Sequence, residues 1–123
     1  YDMILIKDNH VDYSGGIKNA IENTQQYLKA NNKNLEIEIE VRNLDELGQV
    51  LQTGGINRIL LDNFDFGNLK KAVKLIGGRY TTEASGGITI DNIREYAECG
   101  VDYISVGALT HSVKSLDLSL KAV

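Results

Sequence analysis

Apolar residues recur along the chain at two spacings. Short runs rich in Ile, Leu and Val stand at Met3 to Ile6, Leu35 to Val41, Arg58 to Leu61, Tyr80 to Ala84 and Tyr103 to Val106, with the length and composition of strands. Between the runs, apolar positions step by three and four instead. Ile17, Ala20, Ile21, Thr24 and Leu28 share one face of a first helix, Phe66, Leu69, Ala72, Val73 and Ile76 one face of a third, and Ile90, Ile93 and Ala97 one face of a fourth. The second helix, from about Leu44 to Gln52, opens on Asn43 as its cap, with Glu46 placed to complete a capping box. Gly54-Gly55, Gly77-Gly78 and Gly100 stop three of these helices, where the chain takes left-handed angles that cost glycine little.

Strand then helix, four times over and followed by a fifth strand, predicts parallel pairing through right-handed crossovers. The expected class is α/β, a partial β/α barrel with five parallel strands alternating with helices. A complete eightfold barrel needs ~250 residues, and the chain has 123. Tyr1 to Ile6 already reads as strand, so a piece of a longer chain is expected. Ile59-Leu60-Leu61 is continuously apolar, as suits a strand with helices over one face and a core over the other. Glu36-Ile37-Glu38-Ile39-Glu40 alternates, so one side of that strand meets water, partner groups or a polar barrel interior. No proline and no linker interrupts the series, which predicts one unit over residues 1–123.

Charge narrows the partners. Seventeen acidic residues against thirteen basic ones, with no Lys/Arg cluster, leave a net charge of −4. Nucleic acid and anionic membrane surfaces both need concentrated positive charge, and neither is expected as a partner. No apolar run approaches the ~20 residues of a membrane-spanning helix. Cys99 is alone, which excludes an internal disulfide and suits a reducing cytoplasm; late in a helix pattern, it reads as a small packing residue.

Parallel α/β sheets gather their chemistry at the carboxyl ends of the strands, where the βα loops converge. The residues at those ends are Lys7, Glu40, Asp62, Ser85 with Gly86 and Gly87, and Gly107. Ser85-Gly86-Gly87 leads through Ile88 and Thr89 toward a helix, and its backbone N–H groups suit a phosphate. Val106-Gly107-Ala108-Leu109-Thr110 is a second small-residue turn beside it. Two such turns after consecutive strands point to anion binding, although either alone would be only a tight turn. Glu40 and Asp62 are placed to orient sugar hydroxyls, hold Mg²⁺ through water or stabilise positive charge growing on a sugar carbon. Solvated loop acids are the plain alternative, and Asp62 is the stronger candidate because it ends an apolar run. Glu83 is either a third acid at this rim or a polar member of the barrel interior. Lys7 reads as a point charge for phosphate or carboxylate groups. Of the two histidines, His10 reads as structural, and His111 lies next to the Gly107 turn, in reach of a ligand; neither has metal-ligand spacing.

Lys7-Asp8-Asn9-His10 after Ile4-Leu5-Ile6, then Glu38-Ile39-Glu40-Val41, Leu60-Leu61-Asp62-Asn63-Phe64, Glu83-Ala84-Ser85-Gly86-Gly87-Ile88 and the stretch from Gly100-Val101-Asp102-Tyr103 to His111-Ser112 resemble, in order and spacing, the second half of the quinolinate phosphoribosyltransferases, also called nicotinate-nucleotide pyrophosphorylases (carboxylating). The resemblance covers essentially the whole chain. It implies a TIM-like barrel enzyme of NAD biosynthesis, a pentosyltransferase that converts quinolinate and phosphoribosyl pyrophosphate to nicotinate mononucleotide, pyrophosphate and carbon dioxide, with Mg²⁺ carried by the pyrophosphate substrate rather than by protein ligands. It implies that Glu40 and Asp62 contact the ribose hydroxyls near that metal, that Ser85, Gly86 and Gly107 hold the 5′-phosphate, and that Lys7 faces a carboxylate of quinolinate or the pyrophosphate. It further implies an N-terminal sandwich domain, earlier barrel strands and an arginine- and lysine-rich substrate set outside this sequence, and a homodimer as the full-length form. The isolated chain is therefore expected not to turn over quinolinate. A related phosphosugar barrel, such as the family's molybdenum-associated paralogue, and a non-catalytic half-barrel assembly module are the competing readings.

Overall fold

The computed structural model describes residues 3–107 and 109–114, leaving aside the side chains at 8, 10 and 13. In chain order the elements are β1 (Met3–Ile6), α1 (Asp8–Ser14), α2 (Ile17–Ala30), β2 (Glu36–Val41), α3 (Leu44–Thr53), β3 (Arg58–Asp62), α4 (Phe66–Ile76), β4 (Thr81–Ser85), α5 (Ile93–Glu98), β5 (Tyr103–Val106) and β6 (Leu109–Ser112). The strands form one sheet in sequential order, curled into a half-barrel. Strands β1 to β5 pair in parallel, as the alternation of periods predicts.

Three features depart from the sequence-based expectation. The helix α1 is not visible as periodicity, because Val11 is its one strongly apolar residue, 8% exposed in the core. A sixth strand, β6, folds back antiparallel on β5; Leu109-Thr110-His111-Ser112 carries no strand pattern, and Gly107 (φ 61°) makes the reversal. Ile90 is 80% exposed and precedes α5 rather than sharing its buried face. The α3 cap also differs in detail. Asn43 Oδ1 accepts from the Glu46 N–H at 2.8 Å, but Glu46 Oε1 reaches back one residue further, to the Arg42 N–H at 2.7 Å.

Strand alternation sorts the sheet into two faces. Ile6, Ile39, Ile59, Leu61 and Ile104, all 0–1% exposed, turn toward Ile21, Leu47, Leu69 and Ile76 of the helices. Each such buried side chain contributes roughly 1.5–3 kcal/mol of transfer free energy. The other face carries Leu5, Glu38, Glu40, Arg58, Leu60, Asp62, Glu83, Ser85, Tyr103 and Ser105, by register across the strands. This open face is the concave interior of the half-barrel.

Register is held at the amino ends of the strands. Asn57, just before β3, takes the Ile37 N–H on Oδ1 and gives its own N–H to the Ile37 carbonyl, both at 2.9 Å. Asp102, just before β5, takes the Thr82 N–H and hydroxyl on Oδ2 at 2.9 and 3.1 Å, and its N–H donates to Thr82 Oγ1 at 3.0 Å. A one-residue slip would turn every open-face side chain into the core, so these locks place the carboxyl ends.

A candidate active site at the carboxyl ends of the strands

Asp62 is the last residue of β3 and Ser85 the last of β4, directly opposite it in register. The Ser85 hydroxyl donates to Asp62 Oδ1 at 2.9 Å, and the Asn63 N–H donates to the Ser85 carbonyl at 2.9 Å. Asn63 (φ 59°) and Gly86 (φ 90°) let the two loops meet. A Cβ on Gly86 would lie 2.9 Å from the Asn63 nitrogen and 3.1 Å from Asp62 Oδ1, so only glycine fits between the acid and the next turn. Asp62 Oδ2 is left without a partner among the described residues.

The neighbouring turns adjoin open space instead. A Cβ built on Gly87 (φ 65°) or Gly107 (φ 61°) meets nothing within 4 Å. Because β4 and β5 are adjacent and parallel, the Ser85-Gly86-Gly87 bend and the Gly107 turn leave the same end of neighbouring strands. Ala108, within the second turn, lies outside the described residues. On the other side of Asp62, Glu40 is half-buried on β2, across from Leu60. Lys7 is exposed and extended (φ −99°, ψ 167°) as the cap of α1. It continues the β1–β2 register one step past Ile6 and Ile39, to the level of Glu40. Lys7, Glu40, Asp62, Ser85, Gly86 and Gly107 thus share one end of one face.

Two expectations move. His111 pairs with Ile104 and shares its helix-covered face, so it stands apart from the rim. The Ser-Gly-Gly bend does not run straight into a helix: α5 begins only at Ile93, and Asn92 ties the intervening turn by accepting the Thr89 N–H at 2.8 Å and donating to the Gly87 carbonyl at 3.1 Å. The anion-binding expectation therefore falls on the turn's backbone rather than on a helix terminus. The side chain of His10 lies outside the described residues.

Beneath the rim is a charged layer that the sequence only half reveals. Glu83 is an interior group rather than a rim acid. Its Oε1 lies 2.5 Å from Arg58 Nη2, and its Oε2 accepts from the Ser105 hydroxyl at 2.5 Å. Arg58 Nε lies 2.9 Å from Glu38 Oε2, close as an ion pair but outside hydrogen-bond geometry. The guanidinium sits 4.2 Å from the centre of the Tyr103 ring. Two carboxylates share one arginine out of water. Burial first, and the Glu83 charge second, push the Glu38 carboxyl up to about 7.

Two hollows of about 590 and 690 Å³ open at the amino ends of the strands; Arg58, Glu83 and Tyr103 line the first, Arg79, Asp102 and Lys114 the second. No rim residue lines either. The rim is the candidate site, because among the described residues it joins a partly unpaired carboxylate, glycine turns beside open space and converging βα loops. Among the described residues no group of three His, Cys, Asp or Glu is placed to cage a metal ion.

Comparison with known proteins identifies the chain's relatives. The family model for the quinolinate phosphoribosyl transferase C-terminal domain matches residues 1–121. The chloroplastic nicotinate-nucleotide pyrophosphorylase (carboxylating) of Arabidopsis thaliana is 44% identical over 98% of this chain and 39% of its own length. A probable nicotinate-nucleotide pyrophosphorylase of Methanocaldococcus jannaschii is 46% identical over 99% of this chain and 44% of its length. In structure, the nicotinate-nucleotide pyrophosphorylase of Francisella tularensis superposes with a TM-score of 0.78 at 38% identity, covering 88% of this chain and 37% of that one. The chain therefore spans less than half the length of these relatives and belongs to the quinolinate phosphoribosyl transferase family, matching its C-terminal domain.

Proposed function

We propose that the whole protein transfers the phosphoribosyl group of phosphoribosyl pyrophosphate to quinolinate with decarboxylation, and that this chain supplies the phosphosugar half of the site. The observation that carries the reading is the Asp62–Ser85–Gly86 unit standing beside the Gly107 turn, on the same end and face as Glu40 and Lys7. In the transfer the pyridine nitrogen bonds to the ribosyl carbon as the bond to pyrophosphate breaks; the carboxylate next to that nitrogen leaves as carbon dioxide and a proton takes its place. Positive charge builds on the ribosyl carbon as pyrophosphate departs. Carboxylates held in place beforehand stabilise such charge without reorganising, which is where an enzyme gains rate rather than mere affinity.

Asp62, aimed by Ser85, and Glu40 on the adjacent strand serve the ribose and that charge. The amides of the Ser85 to Gly87 bend and of the Gly107 turn receive the 5′-phosphate, with glycine admitting the anion close to the backbone. Lys7 neutralises the pyrophosphate or a quinolinate carboxylate. Mg²⁺ enters with the pyrophosphate as part of the substrate. The dicarboxylate site, the rest of the barrel and a homodimeric assembly belong to the remaining length of the protein. The lone, buried Cys99 suits a reducing compartment, and we place the protein in the cytoplasm. A non-catalytic half-barrel would have no reason to gather a lysine, two acids and two glycine turns at one mouth.

The test is turnover by the full-length protein. Quinolinate and phosphoribosyl pyrophosphate should yield nicotinate mononucleotide, pyrophosphate and carbon dioxide in equal amounts, with Mg²⁺ required, while residues 1–123 alone give none. A full-length protein that binds both substrates and forms no nucleotide would sink the proposal.

A further inference from the structure

Four of the rim residues have a residue lower on their own strand and on the same face, and those four form one chain of contacts. Glu38 is two residues before Glu40, Arg58 four before Asp62, Glu83 two before Ser85 and Ser105 two before Gly107. Arg58 meets Glu38 of β2 through Nε, as an ion pair, and Glu83 of β4 through Nη2, and lies over Tyr103 of β5; Ser105 of β5 holds the far oxygen of Glu83. One side chain thus joins four adjacent strands directly beneath the residues assigned to the sugar phosphate.

Such a layer is not needed for stability. Buried ion triads are matched or exceeded in stability by apolar residues of similar volume, and this one places two carboxylates against one cation. What the planar guanidinium supplies is direction: Nη2 hydrogen-bonds Glu83 while Nε holds its charge against Glu38 as an ion pair, an arrangement that a lysine's point charge does not set. We propose that Arg58 is a positioning residue for the transfer reaction, bridging Glu38 and Glu83 so that the strands beneath Glu40, Asp62 and Ser85 keep the spacing the ribosyl carbon requires. The inference rests on the phosphoribosyl-transfer reading above.

The experiment uses the full-length protein and measures kcat, KM for each substrate and the thermal midpoint. Arg58→Lys keeps the charge and loses the fork. The combined Glu38→Leu, Arg58→Met, Glu83→Leu variant keeps the volume and loses all three charges. The triple variant is expected to melt near or above the parent and Arg58→Lys below it, yet both to lose ~10- to 100-fold in kcat, the scale of a sub-ångström to 1 Å misplacement of reacting groups, with KM changed far less. Wild-type kcat in either folded variant would overturn the proposal. If neither folds, Ser105→Ala decides, with Thr110→Ala as its control, since the Ser105 hydroxyl aims Glu83 and otherwise meets only the Thr110 hydroxyl at 3.3 Å: a loss of about 5-fold in kcat at constant KM beyond that of Thr110→Ala supports positioning, and unchanged kcat overturns it. A parent protein without phosphoribosyl transfer would instead sink the functional reading, and this inference with it, whereas an active parent with indifferent variants would sink this inference alone.

Discussion

The two ends of the sheet are built on opposite plans. At the amino ends, Asn57 and Asp102 turn their side chains back onto the backbone of the neighbouring strand and bond it twice or more, at 2.9 to 3.1 Å. Polar groups used in this way hold strands in register. At the carboxyl ends, Asp62 keeps one hydrogen bond, from Ser85, on one oxygen, and a Cβ built on Gly87 or Gly107 would meet nothing within 4 Å. A half-paired carboxylate beside open space persists where something other than stability maintains it. On the proposed function, the difference divides labour along each strand: the amino end sets the register and the carboxyl end is left to meet the substrate.

Substitutions at the two ends should therefore fail differently. Asp62→Ala in the full-length protein is expected to cost ~10²- to 10³-fold in kcat, the scale of removing one preorganised electrostatic group, while unfolding free energy falls by only about 1 kcal/mol for the lost Ser85 bond; steady-state kinetics beside urea unfolding separates the two. Gly86→Ala must adopt φ near 90° with its Cβ 2.9 Å from the Asn63 nitrogen. It should lose ~2–3 kcal/mol of stability and also activity, because the strained loop carries the site. Asp102→Ala sharpens the contrast from the other side, with a stability loss of about 1–3 kcal/mol from the unpaired Thr82 groups and an unchanged kcat per folded molecule. A large kcat loss there at full stability would erase the distinction between the ends.

The smallest effect is one of pH. Burial and the nearby Glu83 charge raise Glu38 from 4.5 to about 7 in the folded chain, so between those values the folded state holds a proton that the unfolded chain has released. That contribution is complete below pH 4.5 and is lost as pH rises through about 7. Glu38→Gln, which cannot titrate, should remove a fall on the order of 1–3 kcal/mol across this window. Urea unfolding at stepped pH checks it, and a variant that keeps the parent's slope would assign the proton elsewhere.

Much of this was legible before any coordinates. The five parallel strands follow from the apolar runs, and the strand-end rule singles out Lys7, Glu40, Asp62, Ser85 and Gly107 without knowledge of contacts. What escaped depends on register between strands distant in sequence. Nothing local to Arg58 says that it stands beside Glu38, 20 residues earlier, or reaches Glu83, 25 residues later. Its place at the head of an apolar strand, on the parity of Asp62, is the one available hint. His111 was misplaced for the same reason, since nearness in sequence to Gly107 hid the hairpin that turns it to the helix-covered face. The helix α1 and Ile90 escaped because one apolar residue sets no period and an exposed one imitates it.

The most direct measurement is hydrogen exchange of the full-length protein with and without phosphoribosyl pyrophosphate and Mg²⁺. Binding should slow the amides of residues 85–88 and 106–108 and of Asn63, and leave those around Asn57 and Asp102 as they were. Protection confined to the amino ends of the strands, in the hollows lined by Arg58 and Arg79, would contradict the placement of the sugar phosphate at the carboxyl rim.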